Sequence, residues 1–202
     1  MNRNYLLALL FLLCLVLSSL WIGCAGEPLT MEGSPVKTFK GDSFTLTTIF
    51  LDEMTLKKRY GKKNNPFINV HHLITPRRFM VFDVIIKAER EELKLELNKM
   101  RLEYAAINVT PRNRFLLYDH WKVEDRSNED VKPMDTRRKE LLINKTLFPD
   151  KFGVSAGSTI KGLVLFSANF PKSGNATLTI PVFDRSGALI EESVLEFRFK
   201  LY

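Results

Sequence analysis

Three histidines, one carboxylate inside an apolar run, a few serines and several knots of cations are the groups in this chain that could do chemistry. His71 and His72 are adjacent, and His120 is the third. Neighbours on a strand point to opposite faces, so both rings could reach one metal only from a loop. The cysteines at 14 and 24 lie too close to the amino terminus to complete a set, so these read as loop or surface histidines and no metal or cofactor is expected. Asp83 interrupts the apolar stretch 79–88. A buried carboxylate left unpaired is costly, so a structural partner (Arg77, Arg78 or another arginine) or exposure at one edge is expected. A catalytic role beside Asp119 or Glu103 is the lesser alternative. Ser155, Ser158 and Ser167 lack a Gly-x-Ser-x-Gly elbow, and neither a Walker loop nor a dinucleotide fingerprint is present. These residues argue against an enzyme.

Cys24 is the residue with the clearest chemistry. Arg3 is followed by an almost wholly apolar stretch from Tyr5 to Ile22, then by Gly23, Cys24, Ala25 and Gly26. A positive start, an apolar core and small residues at the end make a targeting segment rather than part of a fold. Residues 20–24 resemble the lipobox of a bacterial lipoprotein signal. That resemblance implies cleavage before Cys24 and diacylglyceryl attachment to its thiol. An uncleaved membrane anchor and a plain secretory signal are the alternatives. With Cys14 inside the leader, a processed chain would hold no disulfide. Ala25 and Gly26 are not the aspartate that marks inner-membrane retention, so the resemblance favours the outer membrane facing the periplasm, or the cell surface.

The 202 residues carry 30 Lys and Arg against 23 Asp and Glu, a net charge of +7. The leader contributes only Arg3 to this excess. The cations cluster at Lys57-Lys58-Arg59 with Lys62-Lys63, at Arg77-Arg78, at Arg112 with Arg114, and at Arg137-Arg138-Lys139. Acidic residues lie between the clusters, so no long tail of one sign exists. Each Lys or Arg held near an anionic membrane surface gains about 1 kcal/mol, which makes lipid headgroups or anionic envelope polymers candidate partners. Ordinary solvated charge is the competing reading. Nucleic acid is excluded as a partner, because an exported chain is in the wrong compartment and no stacking array of aromatics is evident. Three Asn-x-Thr sequons, at Asn108, Asn144 and Asn175, read as coincidental beside a bacterial-type leader.

The elements that must position these groups are mostly strands. Residues 44–50 and 79–88 are β-branched and aromatic, and the second run is apolar on both faces except at Asp83, which predicts a central strand. Residues 91–104 alternate with a phase change at Asn98-Lys99, which predicts two strands joined by a bulge or tight turn rather than the competing helix. Further strands are expected at 115–121, 159–167, 176–183 and 190–201. Turn residues at 171–175 and 184–187 punctuate the last three. Asp52 is placed to cap a helix over 54–60 that Gly61 ends, and Asp135 to cap a second over 136–148 that Pro149 ends. Residues 62–69 and the charged stretch 122–134 read as loops. The division expected is a signal peptide at 1–23, a flexible tether at 24–36 and one domain at 37–202. It is mainly β, an antiparallel sandwich with two helical insertions.

The run Gly157 to Phe166, then Pro171, then Leu178-Thr179-Ile180-Pro181, resembles the closing strands of bacterial immunoglobulin-like (telokin-type) lipoprotein domains. Residues 79–88 sit where such domains place their first central strand. Leu51-Asp52-Glu53 through Gly61, with Asn65-Pro66-Phe67, is similar to a segment of uncharacterised lipoproteins of this type. The resemblance spans about residues 40–200 and implies an immunoglobulin-like sandwich, but its motifs are packing and turn motifs, so no functional residues carry over. The role expected is non-catalytic: interaction, assembly or structural support in a cell envelope, with an envelope protein as partner. Phe67, Arg77, Arg78 and Trp121 are candidates for a binding surface, although core packing accounts equally for Phe67 and Trp121.

Overall fold

The computed structural model describes residues 29–68, 77–104, 106–127, 131–169 and 173–201. The leader, Cys24, the His71-His72 pair and the turn residues Pro171 and Lys172 lie outside them. In chain order the elements are β1 (Leu29–Met31), β2 (Val36–Lys40), β3 (Phe44–Leu51), α1 (Glu53–Tyr60), β4 (Arg77–Ala88), β5 (Leu93–Glu96), β6 (Arg101–Tyr104), β7 (Ile107–Val109), α2 (Arg114–Arg126), α3 (Pro133–Thr146), β8 (Lys151–Val154), β9 (Thr159–Asn169), β10 (Gly174–Phe183) and β11 (Leu189–Leu201). No helix among the described residues is long and apolar enough to cross a membrane.

The strands form two antiparallel sheets. One runs β2-β3-β4-β9; the other runs β1-β11-β10-β5-β8, with β6 pairing both β10 and β7. Phe44, Leu46 and Phe50 of β3, with Met80, Phe82, Val84 and Ile86 of β4, face the second sheet across one core. There they meet Leu178, Ile180, Leu195, Phe197 and Phe199. Aromatic edges lock the layers, with Phe50–Phe199 centroids at 4.8 Å and Phe82–Phe197 at 5.1 Å. The mainly β, antiparallel two-sheet architecture expected from the alternation is what forms.

β4 lies between β3 and β9, and its two apolar faces have separate uses. Met80, Phe82, Val84 and Ile86 enter the inter-sheet core, while Val81 joins a second core beneath the helices. Leu51, Leu56, Phe67, Leu117, Trp121, Ile143, Leu147, Leu163 and Leu165 complete that second core. The molecule therefore has three layers: sheet, sheet and helices.

The phase change at 98–99 is a single 3₁₀ turn, Leu97–Lys99, between β5 and β6. Both strands run along the same side of β10, Lys94 opposite Phe183 and Leu102 opposite Leu178. Without the turn, the odd-numbered Leu93, Leu95 and Leu97 and the even-numbered Met100, Leu102 and Tyr104 would face opposite ways. With it, all six are buried.

Four expectations need correction. Residues 115–121, read as a strand, belong to helix α2; Asn113 caps it, accepting the Leu116 amide at 2.9 Å. Leu117, Trp121 and Asp125 are its buried positions, a four-residue spacing that the alternating aromatics obscured. Residues 122–126, read as the start of a charged loop, are the end of the same helix. Asp135 does not cap α3, which starts at Pro133 with Lys132 in the cap position and no side-chain cap bond. Finally, Leu29–Met31 falls within the stretch read as tether, yet it pairs with β11, Leu29 opposite Leu201 and Met31 opposite Phe199. The first helix matches its expectation: Asp52 accepts the Thr55 amide at 2.7 Å, and Gly61 takes a positive φ of 83°.

Candidate functional site

The helical layer gathers most of the residues singled out above. It begins with Asn65, whose buried side chain closes the loop after α1. Its amide donates to the Leu56 carbonyl at 3.0 Å and the Gly61 carbonyl at 2.9 Å, and its oxygen accepts the Phe67 amide at 3.0 Å. These bonds tie the end of the helix to the loop that follows it. They also drive Phe67 inward, where it is 1% exposed and meets Tyr60 edge-on at 5.1 Å. The Pro66 carbonyl then accepts the Trp121 indole N–H at 3.0 Å, which fixes α2 over the loop. Trp121 is 4% exposed. Phe67 and Trp121 are thus core residues and offer no contact surface, a correction to their candidacy. Large aromatics beside polar loops satisfied either reading in sequence; burial selects packing.

Arg78 is half-buried and lines a cavity of about 40 Å³ with Leu29, Leu56 and Phe67. Arg77 pairs through its backbone with Asn169, and its side chain lies outside the described residues. Asp83 is paired by other cations. The Asp83 carboxylate is fully buried on the helix-facing side of β4, and its Oδ2 takes Arg59 at 2.6 Å and Lys161 at 3.1 Å. The hydrogen bond to Asp83 raises the Arg59 pKa above its ordinary value, against the opposing pull of desolvation. Asp83 Oδ1 has no hydrogen-bond partner among the described residues. The expected structural pairing with an arginine exists, but the arginine is 24 positions away in sequence, on α1. No local spacing could have named it.

A second buried pair joins α2 to α3. Lys139 Nζ lies 2.5 Å from Asp125 Oδ1 and 3.9 Å from the centre of the Trp121 ring. The Thr136 hydroxyl donates to Asp125 Oδ2 at 2.7 Å. Ammonium, carboxylate, hydroxyl and indole close a network in which each charge has a partner. Sequence reading treated Lys139 as one of a solvated basic trio. The signal missed was its position four residues before buried Ile143 on the same helix face.

His120 sits between the rings of Phe79, at 5.4 Å, and Trp121, at 5.2 Å. It borders an open groove of about 380 Å³ between α2 and the sheet, where Arg112, Leu116, Val123 and Ser167 also lie. Leu116 and Val123 are exposed there, as is nearby Phe115 at 70%. Among the described residues no group of three His, Cys, Asp or Glu side chains could hold a metal ion.

The basic clusters are brought together at one place. Asn64 donates to Asp135 Oδ1 at 2.8 Å, which joins the loop after α1 to the first turn of α3. Arg138 lies 3.5 Å from the same oxygen. The Asn64 bond chiefly holds the Asp135 pKa below its ordinary value, with Lys63 and Arg138 adding to the effect. Lys62 and Lys63 therefore stand beside Arg137 and Arg138, although more than seventy positions separate them in the chain.

No family model and no curated protein matches the chain. Among solved structures it is similar to ycdA, a candidate lipoprotein of Bacillus subtilis subsp. subtilis str. 168, with 11% identity and a TM-score of 0.41. The similarity covers 82% of this chain and 38% of that one, so this chain spans about two-fifths of that protein's length. It is also similar to a functionally unknown protein of Listeria monocytogenes EGD-e, with 12% identity and a TM-score of 0.41, over 88% of this chain and 89% of that one. Likenesses of this size add nothing to the architecture described above.

Proposed function

We propose that this chain is a lipid-anchored, non-catalytic interaction module of a bacterial cell envelope. In this reading the immunoglobulin-like sandwich is scaffold, and the helical layer carries the contacts. One observation carries it: the buried ionisable groups of that layer are committed to structural pairs, while large apolar side chains stand exposed on α2 beside the exposed cations Lys122 and Arg126. Asp83 is held by Arg59 and Lys161, and Asp125 by Lys139. Leu116 and Val123 of α2 stand exposed along the groove, and Phe115 stands exposed on the same helix. Exposed apolar groups grouped beside polar ones are the usual composition of a protein contact surface. Acylation of Cys24 supplies the attachment, with the outer membrane facing the periplasm as the favoured site.

A photo-crosslinking residue at Phe115, introduced in the intact chain in native envelopes, tests this reading. A discrete adduct at 115, absent when the residue is placed at Glu196 on the far sheet, supports it. Indiscriminate adducts at both positions, or none at 115, sink it.

A second reading has its own observation. Convergence of the 62–63 and 137–138 cations around Asp135 favours a face that engages anionic lipid headgroups or envelope polymers.

A further inference from the structure

We infer that the face formed by α1, the loop after it and the start of α3 lies against the anionic phospholipid surface that holds the chain. This deepens the second reading above and rests on acylation of Cys24.

The first observation is where the described chain begins. Leu29 is buried, and it lines the small cavity with Asp52, the cap of α1, and with Glu53 and Leu56 of that helix. Five residues, 24–28, precede it from the candidate lipid attachment point, and covalent geometry limits them to about 17 Å of reach. The longer tether expected from sequence would have let the domain turn freely. Pairing of Leu29–Met31 with β11 shortens the tether and keeps the attachment within that reach of Leu29, which itself borders the start of α1.

The second observation is the charge on that side. Lys58, Lys62 and Lys63 are exposed on α1 and its loop, and Lys132, Arg137 and Arg138 are exposed at the start of α3. The neighbouring acids are already engaged: Asp52 caps α1, Glu53 pairs with Lys57 at 2.5 Å, and Asp135 is held by Asn64. Two exposed methionines stand among these cations, Met54 at 72% and Met134 at 58%. Flexible apolar side chains ringed by cations suit an interface of headgroup phosphates over acyl chains. The opposite pole is the turn after β10. β11 runs from Leu201, beside Leu29, to Leu189, roughly 40 Å away at strand rise.

The test uses the intact chain, purified from membranes and reconstituted into vesicles of phosphatidylcholine with phosphatidylglycerol, or of phosphatidylcholine alone. Intact mass first establishes whether Cys24 is acylated. With Cys24 acylated and Cys14 removed with the leader, Met54→Cys or Arg185→Cys supplies the single free thiol for a fluorophore. A quencher carried by the lipid should dim the label at 54 in phosphatidylglycerol vesicles and leave that at 185 bright. Equal quenching at both, or none at 54, overturns the inference while the anchor stands; binding to isolated envelope polymers without quenching at 54 does the same. If the mass shows no acyl chain, the anchor reading fails on its own, and flotation of the unlabelled chain decides the face. Each cation removed should then lower vesicle binding about fivefold, so Lys58→Ala, Lys62→Ala and Lys63→Ala together lower it on the order of a hundredfold. Flotation that ignores phosphatidylglycerol, or that survives the triple variant, overturns the inference.

Discussion

Lys139 and Asp125 face one another across α2 and α3 at 2.5 Å, with side chains only 8% and 7% exposed. Their approach holds the helical layer as one unit, because the same ammonium sits against Trp121, and Trp121 in turn bonds the loop after α1. Removing one partner strands a buried charge, and the cost of that is typically about 3–5 kcal/mol. Lys139→Ala and Asp125→Ala should each destabilise by that order in urea unfolding. Lys139→Met with Asp125→Leu should recover most of the loss. A double variant as unstable as the sum of the singles would show that the pair is not coupled.

Phe67 and Phe115 make a matched contrast. The first is 1% exposed in the second core and the second 70% exposed on α2. Phe67→Ala should cost about 3–5 kcal/mol, as large-to-small changes in a core do. Phe115→Ala should change stability by about 0.5 kcal/mol or less. Thermal unfolding of the two variants checks the assignment of Phe67 to packing.

Gly162 of β9 has no room for a side chain. A Cβ there would come within 2.9 Å of the Phe148 ring. Gly162→Ala should therefore destabilise by about 1–3 kcal/mol through overpacking. Adding Phe148→Leu should return part of that loss, which chemical denaturation can measure.

Asp135 sets a pH dependence with a definite sign. Its folded pKa lies below the ordinary value of 3.8, chiefly through the bond from Asn64. A depressed carboxylate contributes stability above its unfolded pKa and loses it as pH falls through the folded one. Wild-type protein should exceed Asp135→Asn in stability by a constant margin from about pH 5 to pH 7. That margin should shrink below about pH 4. A margin that grows on acidification would contradict the assignment.

Sequence pattern was sufficient for the long strands, whether buried on one face like β3 or on both like β4 and β9. β3, β10 and β11 announce themselves by alternation, β4 and β9 by β-branched and aromatic runs apolar on both faces, and the phase change at Asn98-Lys99 located the 3₁₀ turn. Helix α2 was missed because Phe115, Leu116 and Val123 are exposed, which breaks the helical stripe that burial would otherwise print. β1 was missed because three residues beside glycine and proline leave no period to read. The site was less legible still. Asp83 with Arg59, and Asn64 with Asp135, are partners only through the packing of α1 and α3 on the sheet. Their sequence separations hold no trace of it.

The shortness of β1 has a mechanical consequence. Any load on the chain upstream of Leu29 falls first on the three residue pairs that join β1 to β11. So brief a ladder can peel open one pair after another, while the inter-sheet core, anchored through Phe50, Phe82 and Phe197, stays closed. The domain thus carries at its point of entry a segment that yields under tension before the rest of the molecule is strained.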